Sequence, residues 1–148
     1  MPPPARPHLL VVDDDAGIRE ALTALLGVPY VVHAAASGAE ACLHLAAHPI
    51  AGILLDVQLG AEDGLELIPR FRTRSAAPIL VLTGQRIDVL AARPVAAQVA
   101  AFLQKPPAVP ALLATLRGLV SPLAPPEPRP HSTTAPPDLW EQRNRKPA

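Results

Sequence analysis

The chain has 148 residues, a hydrophobic content of 49% and a formal net charge of zero. This length can hold one ordinary domain with a proper core, and the balanced charge favours neither nucleic acid nor membrane as a partner. A single cysteine, Cys42, excludes an internal disulfide framework. The early apolar run Leu9–Val12 is far too short to cross a bilayer, so we expect a soluble, cytoplasmic protein.

The prolines divide the chain into three parts. Of the 20 prolines, four lie within the first seven residues and eight lie between Ser121 and Ala148. Segments that are rich in proline and poor in large apolar residues rarely fold alone. We therefore expect a disordered N-terminus at residues 1–7, one folded domain at residues 8–120 and a Pro-rich disordered tail at residues 121–148.

Short apolar runs alternate with helical patterns along the folded part of the chain. The predicted strands are His8–Val12, Tyr30–Val32, Gly52–Asp56, Pro78–Thr83 and Ala100–Gln104. Amphipathic helices are predicted between the early strands and over residues 109–120. This alternation predicts an α/β domain whose parallel sheet carries helices on both faces, and the pattern alone leaves the strand order open.

Two prolines lie inside predicted helices. Pro69 falls within the third helix and is expected to kink it. Pro94 falls within the ambiguous segment Gly84–Val99, where a fourth helix would lie. Because a proline removes a helical hydrogen bond and pushes the preceding residue toward extended geometry, helix four should end at or before Arg93 or bend sharply there.

Polar side chains stand at the carboxyl ends of four predicted strands. They are Asp13 and Asp14 after the first strand, Asp56 at the end of the third, Thr83 at the end of the fourth and Lys105 after the fifth. Taken singly, each is explained by a helix cap, a turn or a solvated surface. In an open α/β sheet, however, the carboxyl ends of the strands meet at the edge where ligands bind. We therefore expect these five residues to form one site.

The charges of this group predict a metal ion. Three carboxylates about 4–5 Å apart repel one another by roughly 1–4 kcal/mol per pair at a surface-like dielectric constant, so they need a compensating cation. Mg²⁺ suits few carboxylates at an open aqueous edge, because it keeps several waters and shares phosphate oxygens. Lys105 adds a compact positive charge, and Thr83 can donate its hydroxyl to a phosphoryl oxygen.

These residues resemble the receiver domain of two-component response regulators. The segments Leu10–Asp15, Leu54–Leu59 and Phe102–Pro106 match it in residue type, order and spacing, and Gly64 follows Asp56 by eight residues. The resemblance covers residues 8–120. It implies a flavodoxin-like, doubly wound, five-stranded parallel sheet of order 2-1-3-4-5.

The resemblance also implies a role for each site residue. Asp56 would be the phosphoacceptor and, with Asp13, Asp14 and the backbone carbonyl of Gln58, would hold Mg²⁺. Thr83 and Lys105 would bind the phosphoryl oxygens. Thr83 would also act with Phe102 as the switch, the pair of residues through which the protein surface reports phosphorylation. The further implied features are a hydrolytic water flanked by Gln58 and Gln85, and a cis peptide between Lys105 and Pro106.

The function that follows is that of a self-modifying switch rather than an enzyme with turnover. We expect a stand-alone receiver that takes a phosphoryl group from a histidine kinase or phosphotransfer protein. It would then signal by phosphorylation-dependent protein contact or phosphorelay, without direct DNA binding or membrane contact. One alternative is a phosphorylation-independent scaffold working through the tail. A phosphatase with Asp56 as nucleophile would need a second carboxylate two residues on, where Gln58 stands.

Two further features need an interpretation. His44 and His48 lie four residues apart on one predicted helix, a spacing that can bind a metal, but the sequence shows no third ligand. We interpret them as part of a solvated helix face. Gly60 stands where the receiver family commonly has a proline, which affects the geometry of the loop after Asp56 rather than the chemistry.

Overall fold

A computed structural model describes residues 5–120 of the chain. The expected disordered tail at residues 121–148, like residues 1–4, lies outside the described residues. Arg6 and Pro7, which we expected to be disordered, are held by the domain: Arg6 donates to the carbonyl of Gly27 at 2.6 Å, and Pro7 accepts from the backbone of Val31 at 2.9 Å. Within the described part, no helix has the length and apolar character that crossing a membrane requires.

Five parallel strands form the central sheet. They are β1 (His8–Val12), β2 (Val31–Ala35), β3 (Ile50–Asp56), β6 (Ile79–Thr83) and β7 (Ala101–Gln104). The labels β4 and β5 belong to two short strands that lie between β3 and β6 in the chain and outside this sheet. Their order is β2-β1-β3-β6-β7, which is 2-1-3-4-5 when these strands alone are counted. The predicted flavodoxin-like sheet is therefore confirmed.

Helices cover both faces of this sheet. They are α1 (Ala16–Leu26), α2 (Gly38–Ala47), α3 (Ile68–Arg72), α4 (Ile87–Ala91) and α5 (Val109–Leu119). Side chains of α1 and α5 pack on one face with Leu54, and side chains of α2, α3 and α4 pack on the other with Ile53 and Leu55. Successive residues of β3 point to opposite faces of the sheet, and both faces are covered. The sequence of this strand is therefore an unbroken run of apolar residues up to Asp56.

Two local expectations were wrong. The second strand is Val31–Ala35 rather than Tyr30–Val32, because pairing with β1 continues to the end of that strand. The loop after Asp56 contains a small hairpin of β4 (Gln58–Leu59) and β5 (Glu62–Asp63), which the sequence did not predict. Pro69 lies in the first turn of α3, after a 3₁₀ helix at Gly64–Leu67, so it does not kink a longer helix. The N–H that proline lacks has no helical partner at that position.

The expectation for Pro94 is confirmed. Helix α4 ends at Ala91, and Arg93 has the extended backbone angles φ −74° and ψ 141°. A 3₁₀ helix, Pro94–Gln98, follows in place of a continued α-helix. This matches the restriction that a proline ring places on the residue before it.

Candidate functional site

The polar residues predicted from the strand ends lie around one cavity at the carboxyl edge of the sheet. The cavity has a volume of about 490 Å³. Its lining includes all the predicted site residues except Phe102, namely Asp13, Asp14, Asp56, Gln58, Thr83, Gln85 and Lys105. Five parallel strands all point their carboxyl ends the same way, so residues far apart in sequence meet at this edge.

Lys105 is the cation at the centre of the site. Its Nζ lies 2.7 Å from Oδ2 of Asp13 and 3.2 Å from Oδ2 of Asp56. The backbone N–H of Lys105 donates to the carbonyl of Thr83 at 2.8 Å, which fixes where the lysine stem begins. The peptide between Lys105 and Pro106 is cis, as the family resemblance implies. The lysine side chain is only 19% exposed, so water screens its ion pairs weakly.

Backbone N–H groups hold the three carboxylates in place. Asp13 accepts from the N–H of Asp15 at 2.9 Å, and Asp14 accepts from the N–H of Gly60 at 2.9 Å. Asp56 accepts from the N–H of Gln58 at 3.3 Å. Carboxylate oxygens of Asp13, Asp14 and Asp56 lie within 4.8 Å of one another. The loops after β1 and β3 therefore aim all three acids at one point.

Burial and charge shift the ionisation of the central pair. Burial raises the pKa of Asp56 above its ordinary value, and Asp13 adds to this effect, against the opposing charge of Lys105 and the hydrogen bond from Gln58. Burial alone would lower the pKa of Lys105, but the hydrogen bond to Asp13 and the charges of both carboxylates together outweigh it, so this pKa is raised. Lys105 is thus held in its charged form, and Asp56 binds a proton more readily than an ordinary carboxylate.

Thr83 lines the cavity, whereas Phe102 does not. Thr83 is fully buried, and its hydroxyl oxygen accepts from the N–H of Gln85 at 2.9 Å. Phe102 is half-buried on β7 and packs against the core beneath α2, α3 and α4, together with Val95 and Val99 of the segment after Pro94. The structure therefore brings Thr83 into the cavity and places Phe102 outside it.

The donor set of the cavity fits a small hard cation. Three carboxylates and one ammonium leave two uncompensated formal negative charges, and the groups that surround them are oxygen donors. Oxygen ligands at an open edge are typical of Mg²⁺, which retains several waters. Asp13, Asp14 and Asp56 could hold such an ion, and Gln58 also lines the cavity.

Two positioning residues escaped the sequence-based prediction. Arg19 donates to the carbonyl of Asp13 at 2.8 Å, and Gly60 donates to Asp14 as described above. Arg19 had no signal in the sequence beyond its proximity to acidic residues, and Gly60 stood out only as a departure from the family pattern, not as a partner of Asp14. Gly64, which the spacing did single out, has a direct steric role: a Cβ there would lie 2.0 Å from the carbonyl oxygen of Asp56.

Known proteins share this sequence pattern and this fold. The family described as response regulator receiver domain matches residues 9–117. The transcriptional regulatory protein AruR of Pseudomonas aeruginosa is 45% identical over 89 residues, which cover 56% of this chain and 36% of that protein. The chain spans about a third to a half of the length of the curated relatives that it matches.

Solved structures of response regulators share the fold of this chain. The chemotaxis protein CheY4 of Vibrio cholerae superposes with a TM-score of 0.72 at 29% identity and covers 78% of this chain and 100% of its own. A response regulator from Burkholderia pseudomallei, solved with a phosphorylated aspartic acid, a calcium ion and citrate, gives a TM-score of 0.68 at 26% identity, covering 94% of this chain and 75% of its own. Since the family match extends over most of the chain and the fold agrees with it, the protein belongs to the receiver domain family of two-component response regulators, a family of signalling domains.

Proposed function

We propose that Asp56 is the phosphoacceptor of this receiver and takes its phosphoryl group from a phosphohistidine on a kinase or phosphotransfer protein. The observation that carries the proposal is the position of Asp56 in the cavity. Its carboxylate is in contact with Lys105 and lies beside the carboxylates of Asp13 and Asp14. The Burkholderia pseudomallei relative, whose structure contains a phosphorylated aspartic acid, supports the same chemistry.

In this reaction the phosphoryl group passes from the imidazole of the phosphohistidine to the carboxylate of Asp56. An oxygen of Asp56 attacks the phosphorus atom as the phosphorus–nitrogen bond breaks, and the electron pair of that bond stays on the leaving imidazole. Lys105 neutralises charge on the transferring oxygens, and Thr83, whose oxygen accepts from the N–H of Gln85, donates its hydroxyl hydrogen to one of them. Mg²⁺ held by Asp13, Asp14, Asp56 and the carbonyl of Gln58 would supply further neutralisation of these oxygens. Gln58 and Gln85 would flank the water that hydrolyses the product.

Phosphorylation would be reported through Thr83 and Phe102. A change at Thr83 would be passed to β7, because β6 and β7 are hydrogen-bonded neighbours in which Thr83 pairs with Gln104 and Val81 pairs with Phe102. Phe102 packs against the segment that follows Pro94. We propose that this surface changes on phosphorylation and recognises another protein, either a downstream target or the next member of a phosphorelay.

The test is phosphorylation of the full chain by acetyl phosphate in Mg²⁺, followed by intact mass measurement. We expect the wild type to gain the mass of one phosphoryl group and Asp56→Asn to gain none. Asp88→Asn is the matched control, because Asp88 is an exposed aspartate on α4, outside the cavity. An equal gain in Asp56→Asn, or no gain in the wild type, would contradict the assignment of Asp56.

A further inference from the structure

Four of the five histidines of the chain lie together, away from the acidic cavity. His8 begins β1 and His33 lies in the middle of β2, while His44 and His48 lie in the last turn and at the C-cap of α2. Our interpretation of His44 and His48 as a merely solvated helix face was incomplete, because the fold supplies two more imidazoles from neighbouring strands. All four rings are half-buried.

His33 is at the centre of this cluster. Its ring centroid lies 3.9 Å from that of His48, with the ring planes 15° apart, and its Nε2 lies 2.9 Å from Nδ1 of His8. One ring nitrogen from each of His8, His33 and His48 lies within 4.8 Å of the other two. We propose that His8, His33 and His48 form a binding site for Zn²⁺ or a chemically similar first-row transition-metal ion.

The chemistry of the cluster favours this class of ion. Imidazole nitrogen is a preferred ligand of Zn²⁺, Cu²⁺ and Ni²⁺, whereas Mg²⁺ prefers oxygen. Zn²⁺ binds imidazole nitrogen at about 2.0–2.1 Å, and three protein ligands leave a fourth position for water or another group. Bringing the three nitrogens to these distances requires rotation about the terminal side-chain torsions, which have broad energy wells in histidine.

The pKa of the central imidazole, His33, lies below its ordinary value. Burial and the neighbouring histidines His48, His8 and His44 lower the pKa of His33 to about 4. A neutral ring offers a free lone pair, so binding need not displace a proton from His33 at neutral pH. His44 is the fourth ring; its Nε2 lies 3.2 Å from the carbonyl oxygen of Ala34, so it is already engaged with the backbone.

The cluster is a separate site from the acidic cavity. His8 begins β1 and Asp13 directly follows its end, five residues further on, a separation of about 16 Å at about 3.3 Å per residue. A metal ion bound by His8, His33 and His48 would join β1, the edge strand β2 and the end of α2. We therefore expect it to stabilise this edge of the sheet without touching the groups that surround Asp56.

Calorimetric titration of the untagged full chain with Zn²⁺, in excess Mg²⁺ to occupy the acidic cavity, tests the proposal. We expect one equivalent of Zn²⁺ to bind the wild type and raise its melting temperature. His33→Gln and His48→Gln should each bind at least tenfold more weakly and lose the thermal shift. His131→Gln, the remaining histidine and outside the described residues, is the matched control and should behave as wild type.

Co²⁺ provides a second readout, since a bound tetrahedral ion gives visible absorption that the wild type should show and His33→Gln should lack. If His33→Gln does not fold in EDTA, His48→Gln at the end of α2 decides the question. The proposal is wrong if the wild type binds no Zn²⁺, if both cluster variants bind as tightly as wild type, or if His131→Gln loses binding equally.

Discussion

The backbone N–H of Gly60 donates a hydrogen bond to the carboxylate of Asp14 at 2.9 Å and so ties the loop after β3 to the loop after β1. Gly60 has φ +59°, the left-handed region that a side chain disfavours. A proline, common at this position in the family, could neither adopt that angle nor donate this bond. The departure from the family pattern therefore adds a contact to the acidic cluster.

Replacing Gly60 should cost stability through backbone strain alone. No atom lies within 4 Å of a Cβ at Gly60, so Gly60→Ala should destabilise the fold by about 1–2 kcal/mol solely because of its positive φ. Gly118→Ala is the matched control: it is also free of steric contact but lies in α5, so it should stabilise by up to about 1 kcal/mol. Urea unfolding of both variants measures the difference. Equal effects of the same sign would contradict this explanation.

Lys105→Met should lower both the folding stability of the domain and the rate at which Asp56 is phosphorylated. Without the ammonium, three carboxylates face one another with no positive charge between them. Breaking a fully buried ion pair costs roughly 3–5 kcal/mol of folding stability, and we expect a smaller loss here. Mg²⁺ should restore part of it. Phosphorylation by acetyl phosphate should slow at least tenfold. Lys146→Met, which changes the only other lysine, should leave both unchanged. Denaturation in EDTA and in Mg²⁺, with timed mass spectra, gives both readouts.

Gly64→Ala should be among the most damaging single substitutions in the domain. The added Cβ would lie 2.0 Å from the carbonyl oxygen of Asp56, and the N–H of Gly64 already donates to Val57 at 2.6 Å. The obstructing atoms are backbone, so they cannot rotate away. We expect destabilisation of more than about 3 kcal/mol, measurable by urea unfolding. A variant as stable as Gly60→Ala would show that the loop can move aside.

The segment around Pro94 should exchange its amide hydrogens faster than α5. It consists of a short α4 and a 3₁₀ helix, and none of the side chains from Pro94 to Gln98 is fully buried. An ion pair of 2.8 Å between Arg93 and Asp63 joins it to the rest of the domain. Hydrogen exchange should therefore show lower protection over residues 86–98 than over residues 109–119. Equal protection of the two segments would contradict this expectation. Pro94→Ala should raise protection if the proline is the cause.

Residues after Val120 should be dispensable for folding. The family match ends at residue 117, and the sequence after Val120 is rich in proline and poor in large apolar residues. A chain truncated after Val120 should therefore melt within about a degree or two of the full chain. Differential scanning calorimetry measures this, and a large loss would mean that Leu139 and Trp140 contribute to the folded domain.

The sequence by itself determined that the domain has a parallel α/β sheet and which residues form the central site. Apolar runs alternating with helices require parallel strands, and parallel strands bring their carboxyl ends to one edge, so Asp13, Asp56, Thr83 and Lys105 could be grouped without coordinates. Pro94 was equally informative, because a proline restricts its own backbone and that of Arg93 whatever surrounds them.

Only the tertiary structure decided the features that depend on contacts between distant segments. Gly60 and Asp14 are 46 residues apart in the sequence, and no local pattern encodes the contact between them. The histidine cluster is the clearest case. His8 and His33 belong to different strands, and His33 and His48 to a strand and a helix, so they meet only because β2 pairs beside β1 and α2 packs across them. Local sequence fixes conformation through steric and hydrogen-bonding limits, whereas the meeting of these side chains follows from packing the whole chain.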